Sequence, residues 1–270
     1  MRCKWCSNPE GLENRRQLMY NQKLCHESYD CIKACPEGAL EVATGGITVN
    51  RERCTACGDC VESCFTDALT IAGKEMTADE VLDIVLRDEA FYETSGGGIT
   101  LSGGEPTIHA DFAAELLRKC KDCAVGTAIE TCGHSTAGQF QKVAQYTDVF
   151  LFDIKHVDDE KHEAFTGVGC KRIKQNFEEA AKMDKRLIVR IPVIPGFNDT
   201  AAEMNAIADY IGSVGGVEMV HLLPYHCLGL PKYQALDMEY PMGDVPGMGM
   251  DTARELLHVF DDKIDARIEV

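Results

Sequence analysis

Cysteine is the residue type with which this chain can do the most chemistry, and its placement is uneven. Of fourteen cysteines, nine lie in the first 64 residues and five in the remaining 206. A thiolate is a nucleophile and a soft metal ligand, so crowded thiols in a chain of 270 residues point to metal binding or redox chemistry. A secreted disulfide scaffold would be short and would carry an apolar leader. This chain opens Met1-Arg2-Cys3-Lys4-Trp5-Cys6, with no apolar core.

Residues 25 to 72 hold two tandem copies of one unit, because an offset of 29 carries Cys25, Cys31, Cys35, Ala39 and Leu40 onto Cys54, Cys60, Cys64, Ala68 and Leu69. The second copy, Cys54-x2-Cys57-x2-Cys60-x3-Cys64, has the spacing of a bacterial ferredoxin half, in which three close thiolates hold one [4Fe–4S] cluster and the fourth crosses to the other. Crossing groups Cys54, Cys57 and Cys60 with Cys35, and leaves Cys25, Cys31 and Cys64 for a second cluster. The proline that follows the fourth cysteine is Pro36 in the first copy and is replaced by Phe65 in the second. Ser28 stands opposite Cys57. Its oxygen is a harder ligand whose proton leaves at a much higher pKa, so the second cluster is expected to have a weaker fourth bond, a substitute thiolate or only three irons. A loop shift that brings in another residue is the alternative.

The elements that position these groups change character at Met76. From there the pattern alternates helices with short β-rich runs, the signature of βα units around a parallel sheet. Strands are expected at Ile99–Ser102, Val125–Thr131, Val149–Asp153, Leu187–Ile194 and Val217–Leu223. Helices are expected at Thr77–Ala90, Ala110–Lys121, Thr136–Tyr146, Arg172–Lys182 and Thr200–Ile211. Thr77 and Glu80 form the capping-box pattern that starts the first helix. Five such strands make most of a barrel, whose active site lies at the carboxyl ends of its strands. The notable polar residues fall there.

Cys3-x2-Cys6 alone is a zinc half-site or a redox pair. Followed by Ser7-Asn8-Pro9-Glu10, the double cysteine insert and Ser102-Gly103-Gly104-Glu105-Pro106 at a strand end, it resembles the radical S-adenosylmethionine enzymes that activate glycyl radical enzymes. The resemblance spans nearly the whole chain and includes the order of its parts. It implies an α/β fold, a partial (β/α)6 TIM-type barrel of the radical SAM kind with an inserted ferredoxin-like domain for two [4Fe–4S] clusters. Residues 1–20 are then the remnant of the cluster loop, 21–75 the insert and 76–270 the barrel.

In that family a C-x3-C-x2-C motif gives three thiolates to a [4Fe–4S] cluster and leaves one iron free for S-adenosylmethionine. Cys3 and Cys6 match its last two positions. The first falls ahead of Met1, where the family also has its first barrel strand, so the chain is expected to start late; a natural two-cysteine site is the alternative. Cys3, Cys6 and Lys155 are the expected catalytic residues. By the same resemblance Trp5, Gly103, Gly104, Glu105, Glu130, Thr131, Asp153, Lys155, Arg190 and His226 line the cofactor. Within that set the Gly-Gly-Glu-Pro segment binds the methionyl amino group, Glu130-Thr131 fixes the cofactor or a monovalent cation, and Asp153-Ile154-Lys155 is the DxK element. Arg190 holds a carboxylate, and His226 contacts the adenosyl part. The remaining thiols, Cys120, Cys123, Cys132, Cys170 and Cys227, read as packing residues, with Cys120 and Cys123 as reserve ligands.

The implied activity is reductive cleavage of S-adenosylmethionine to methionine and a 5′-deoxyadenosyl radical, which takes hydrogen from a backbone glycine of a partner enzyme. The partner is expected to be a dehydratase, a decarboxylase or a C–N or C–S lyase, and the electron donor a flavodoxin or ferredoxin. Rival readings are a radical enzyme acting on a small molecule or nucleoside, and an iron–sulfur electron carrier. The 44 acidic against 27 basic residues, a formal charge of −17, argue against nucleic acid as a partner. No apolar run approaches the roughly 18 to 20 residues of a membrane span, so a cytoplasmic protein is expected, and the oxygen-sensitive chemistry that the resemblance implies points to an anaerobe.

Overall fold

The computed structural model describes residues 1–269. It divides into two units, one formed by Met1–Trp5, Met76–His226 and the chain from Asp244 onward, the other by Cys6–Glu75 and Cys227–Gly243. Among the described residues no helix is long and apolar enough to cross a membrane.

The cysteine-rich unit contains four short strands: β1 (Gln17–Tyr20), β2 (Leu40–Ala43), β3 (Gly46–Val49) and β4 (Leu69–Ala72). β2 and β3 form an antiparallel hairpin, and β1 pairs antiparallel with β4. That second pairing draws residues ahead of 21 into this unit, which a linear division at residue 20 does not express. Arg51 ties Cys227–Gly243 to it, binding the Leu18 carbonyl, the Ala235 carbonyl and the Asp237 carboxylate. The internal repeat is visible in the backbone. The short helices Asp30–Ala34 and Asp59–Glu62 start 29 residues apart, as do β2 and β4. A small core of Leu18, Tyr20, Leu40, Ile47, Val49, Cys60, Ala68 and Leu69 lies under them.

The other unit is an all-parallel sheet of β5 (Gly98–Leu101), β6 (Gly126–Thr131), β7 (Val149–Asp153), β8 (Arg186–Val193), β9 (Met219–Pro224) and β10 (Ala266–Ile268). Strand order follows chain order, so each helical crossover steps to the next strand in one direction, the winding of a barrel rather than of a doubly wound sheet. β8 is buried along nearly its whole length, as expected for a parallel strand covered on both faces. A Cβ on Gly98 would stand 1.9 Å from the Gly126 carbonyl oxygen, so only glycine lets β5 and β6 start side by side. β5 pairs with β6 alone and is a sheet edge, with Gly98 and Thr100 exposed.

Four of the expected strands, those at β6 to β9, and β5 appear within two residues of their expected limits. β10 and the helix Asp159–Thr166 were not expected, and the helix from Thr77 is broken, running Ala78–Val85 and then Glu89–Ser95 with a 3-10 turn between. The core of this unit is dominated by Phe140, Phe150, Phe152 and Phe177 with the aliphatic residues of β8 and of Ala201–Val214.

Candidate functional site

The carboxyl ends of β5 to β8 carry a row of alternating charge. Ser102, one residue past β5, donates to Glu130 Oε2 near the end of β6. The other oxygen of Glu130 meets Arg190 Nη1 of β8 at 2.6 Å. Arg190 Nε lies 3.9 Å from Asp153 Oδ1 at the end of β7, and Lys155 Nζ donates to Asp153 Oδ2 at 2.6 Å. Period-two alternation is what aims these side chains to one side of the sheet. Asp153 Oδ1 and Arg190 Nε are buried with no hydrogen-bond partner and face each other in that longer ion pair.

Lys155 is buried, which alone would lower its pKa, but Asp153, then Cys3 and Cys132, outweigh that cost and raise it, so the ammonium stays charged. Its backbone is fixed by fully buried Asn198, which donates to the Lys155 and Pro192 carbonyls at 2.9 Å each and accepts from Ile194 N–H at 2.7 Å. The influence of Cys3 on Lys155 puts the N-terminal segment at this end of the sheet. Arg2 and Lys4 N–H donate to the Thr166 and Phe165 carbonyls, at the end of Asp159–Thr166. Trp5 is buried against Phe197, with ring centroids 5.0 Å apart, and Phe165 stacks on the same ring. Trp5 therefore anchors the cysteine segment by packing.

Glu105 has a different environment from the open acceptor that the sequence suggests. Its Oε1 takes hydrogen bonds from Thr107 N–H, Thr107 Oγ1 and Thr131 Oγ1, and its Oε2 from Cys132 N–H and Sγ, at 2.6 to 3.1 Å. The carboxylate caps the turn Pro106–His109 and ties the end of β6 to it. Ahead of it Gly103 adopts φ +118, with open space where a Cβ would be, so the Gly103-Gly104 backbone is what faces outward. His226 is exposed just past β9.

Sequence reasoning missed Ser102, Asn198 and Cys132 as members of this site. Cys132, read as a packing thiol, bonds Glu105, and burial together with that carboxylate pushes its pKa far up. Its position directly after Thr131 was the available signal. Cys120 and Cys170 are buried as packing thiols should be.

In the cysteine-rich unit the thiols line two cavities. One, a small hollow, is lined by Cys35, Cys54, Cys57 and Cys60 with Leu18, Ala39 and Leu40. Burial, then Cys35, Cys54 and Cys57, push the Cys60 thiol up to about 12, as mutual proximity of four thiols requires. The second, also small, is lined by Cys25, Cys31, Cys64 and Ser28, with Tyr20, His26 and Phe65 around them. Four thiols around one cavity, and three around the other, suit polynuclear iron in their donor type. Among the described residues no three metal-ligating side chains converge on a single ion.

The sequence model of the Radical SAM superfamily matches residues 1–210. The choline trimethylamine-lyase activating enzyme of Oleidesulfovibrio alaskensis is 36% identical over 254 residues, covering 92% of this chain and 82% of that protein. The isethionate sulfite-lyase activating enzyme of the same organism is 42% identical over 252 residues, 91% of this chain and 81% of that one. A solved domain of a pyruvate-formate lyase-activating enzyme from Bacteroides vulgatus superposes with a TM-score of 0.54 at 24% identity, covering 64% of this chain and 99% of that one, a likeness of fold.

Proposed function

The chain belongs to the radical SAM superfamily, among the activating enzymes of glycyl radical enzymes, and from that premise we propose how its residues divide the work. It reductively cleaves S-adenosylmethionine and generates a glycyl radical on a partner enzyme. A [4Fe–4S] cluster supplies the electron for that cleavage. The observation that carries the assignment of residues is the charged row at the strand ends beside Cys3.

Cys3 and Cys6 hold the cluster. The Gly103-Gly104 backbone receives the methionyl ammonium, while Glu105, already saturated by protein donors, keeps that turn in shape. Arg190 takes the carboxylate and His226 the adenosyl part. Lys155 and Asp153 form a fixed ion pair beside Cys3 that holds positive charge at the cofactor. At Glu130 the guanidinium of Arg190 already supplies the charge that a monovalent cation would bring.

The two thiol-lined cavities support two auxiliary clusters that pass electrons from a flavodoxin or ferredoxin in the cytoplasm. The partner is a glycyl radical enzyme, and the names of related activators support the dehydratase and the C–N or C–S lyase kinds ahead of a decarboxylase.

The test is anaerobic reconstitution of the protein, followed by strong reductant and S-adenosylmethionine. Release of 5′-deoxyadenosine and methionine is expected, with a glycyl radical signal on a purified partner. Cleavage with no radical on any glycyl radical enzyme supplied would favour a small-molecule substrate. Cluster reduction without cleavage would leave an electron carrier.

A further inference from the structure

We propose that the cluster site formed by Cys25, Cys31 and Cys64 has one labile iron, the one that faces Ser28. The inference rests on the reading of two auxiliary clusters and concerns how this chain departs from its own repeat. The departure is one of donor atom, because the backbone around it is not shifted. Glu27 and Tyr29 have φ of +55 and +59, and their partners at offset 29, Ala56 and Gly58, have +52 and +107. Gly38 and its partner Asp67 both have +54. A non-glycine residue at positive φ is uncommon, so its recurrence at matching positions shows one loop conformation in both halves. Ser28 therefore stands where Cys57 stands, and each lines its own cavity.

Both positions also face solvent, since Ser28 and Cys57 are exposed while Cys25, Cys31, Cys54 and Cys64 are half-buried and Cys60 is buried. The Tyr20 hydroxyl accepts from Ile47 N–H, Glu27 accepts from the Tyr29 hydroxyl, and the His26 ring packs edge-on against Phe65. The corner that lacks a thiolate is thus the corner that water and oxidants reach. A serine hydroxyl must give up a far less acidic proton than a thiol to bind iron, so this iron is held weakest.

The step is a one-electron oxidation: a [4Fe–4S]2+ core gives a [3Fe–4S]+ core, one ferrous ion and one electron. Ferricyanide accepts that electron in the test, and dioxygen can do so otherwise. The experiment uses the full chain carrying Cys3→Ala and Cys6→Ala, so that only iron held by residues 25–64 is seen. Iron and sulfide are measured after reconstitution and again after brief ferricyanide treatment, together with the electron paramagnetic resonance signal of three-iron clusters.

The parent is expected to keep about seven irons after treatment and to show the three-iron signal. Ser28→Cys should keep about eight and show none, and Cys57→Ser, which puts serine at both corners, should keep about six. The proposal is overturned if Ser28→Cys sheds as much iron as the parent, or if Cys57→Ser sheds no more. Absence of iron in the Cys3→Ala, Cys6→Ala protein before any oxidant would instead refute the auxiliary clusters themselves.

Discussion

On the proposed reading, the strand-end site of the α/β unit and the thiol cavities of the cysteine-rich unit solve the same problem, holding a cofactor, in opposite ways. At the strand ends the protein's polar groups largely satisfy one another. Glu105 accepts five hydrogen bonds, Asp153 holds Lys155, and Glu130 holds Arg190. Behind them lies a core of 25 buried residues among those described. The thiol cavities have a core of eight and two sheets of two strands each. Two-stranded sheets are marginal alone, and cavities walled by thiols gain little until iron occupies them. On that reading the α/β unit is organised before its cofactor arrives, and the cysteine-rich unit is organised by iron.

The largest expected effect tests that contrast directly. Iron removal by anaerobic chelation should abolish hydrogen-exchange protection in β1 to β4 while β6 to β9 keep theirs. A domain's full stability is at stake in the first case, roughly 5 kcal/mol or more, and almost none in the second. Equal loss in both units, by exchange mass spectrometry of iron-loaded and iron-free protein, would erase the distinction.

A smaller effect probes how the strand-end site is held. Asn198→Ala leaves the Lys155 and Pro192 carbonyls and Ile194 N–H buried without their partner, at a cost of roughly 3 kcal/mol. The denaturation midpoint of the iron-free protein should fall accordingly, and S-adenosylmethionine binding to the loaded form should weaken with it. A loss under about 1 kcal/mol would mean that the turn after β8 holds without this side chain.

His156 gives a comparable effect through pH. Its Nδ1 accepts from Asp158 N–H, its Nε2 has no hydrogen-bond partner, and burial, then Lys161, lower its pKa to about 4. The folded state thus disfavours the proton that the unfolded chain takes up near 6.5. Stability from neutral His156 is complete above pH 6.5 and is lost as pH falls through 4, about 3 kcal/mol in all. In iron-free protein, His156→Gln should flatten the stability profile between those values. A titration midpoint near 6.5 for His156 by NMR would contradict its burial.

Legibility followed the range of the interactions. β6 to β9 were readable because apolar runs such as Leu187-Ile188-Val189 declare a strand buried on both faces, and strand ends then locate Glu130, Asp153 and Arg190. β10, three residues long, is too short to show a period. The contact of Glu130 with Arg190 spans from β6 to β8 past an intervening strand, and the contacts of Glu105 with Thr131 and Cys132 span 26 and 27 residues. No local pattern encodes such pairings. Asn198 looks like any turn residue after Pro195-Gly196, and only its burial reveals what it holds.

The smallest expected effect belongs to the feature that was easiest to read. Thr77 Oγ1 accepts from Glu80 N–H at 3.2 Å, and Glu80 Oε2 accepts from Thr77 N–H at 2.7 Å, the reciprocal capping pair foreseen in the sequence. The helix it starts packs Ala78 with Leu116, Cys120 and Val125. Thr77→Ala should therefore cost about 1 kcal/mol, and Thr77→Ser much less, because the serine hydroxyl can still accept the bond. The cost should be the same in iron-loaded and iron-free protein, since the cap is satisfied within the α/β unit. A cap that mattered only in the loaded protein, by chemical denaturation of both forms, would show that this unit also leans on iron, and the contrast between the two units would have to be redrawn.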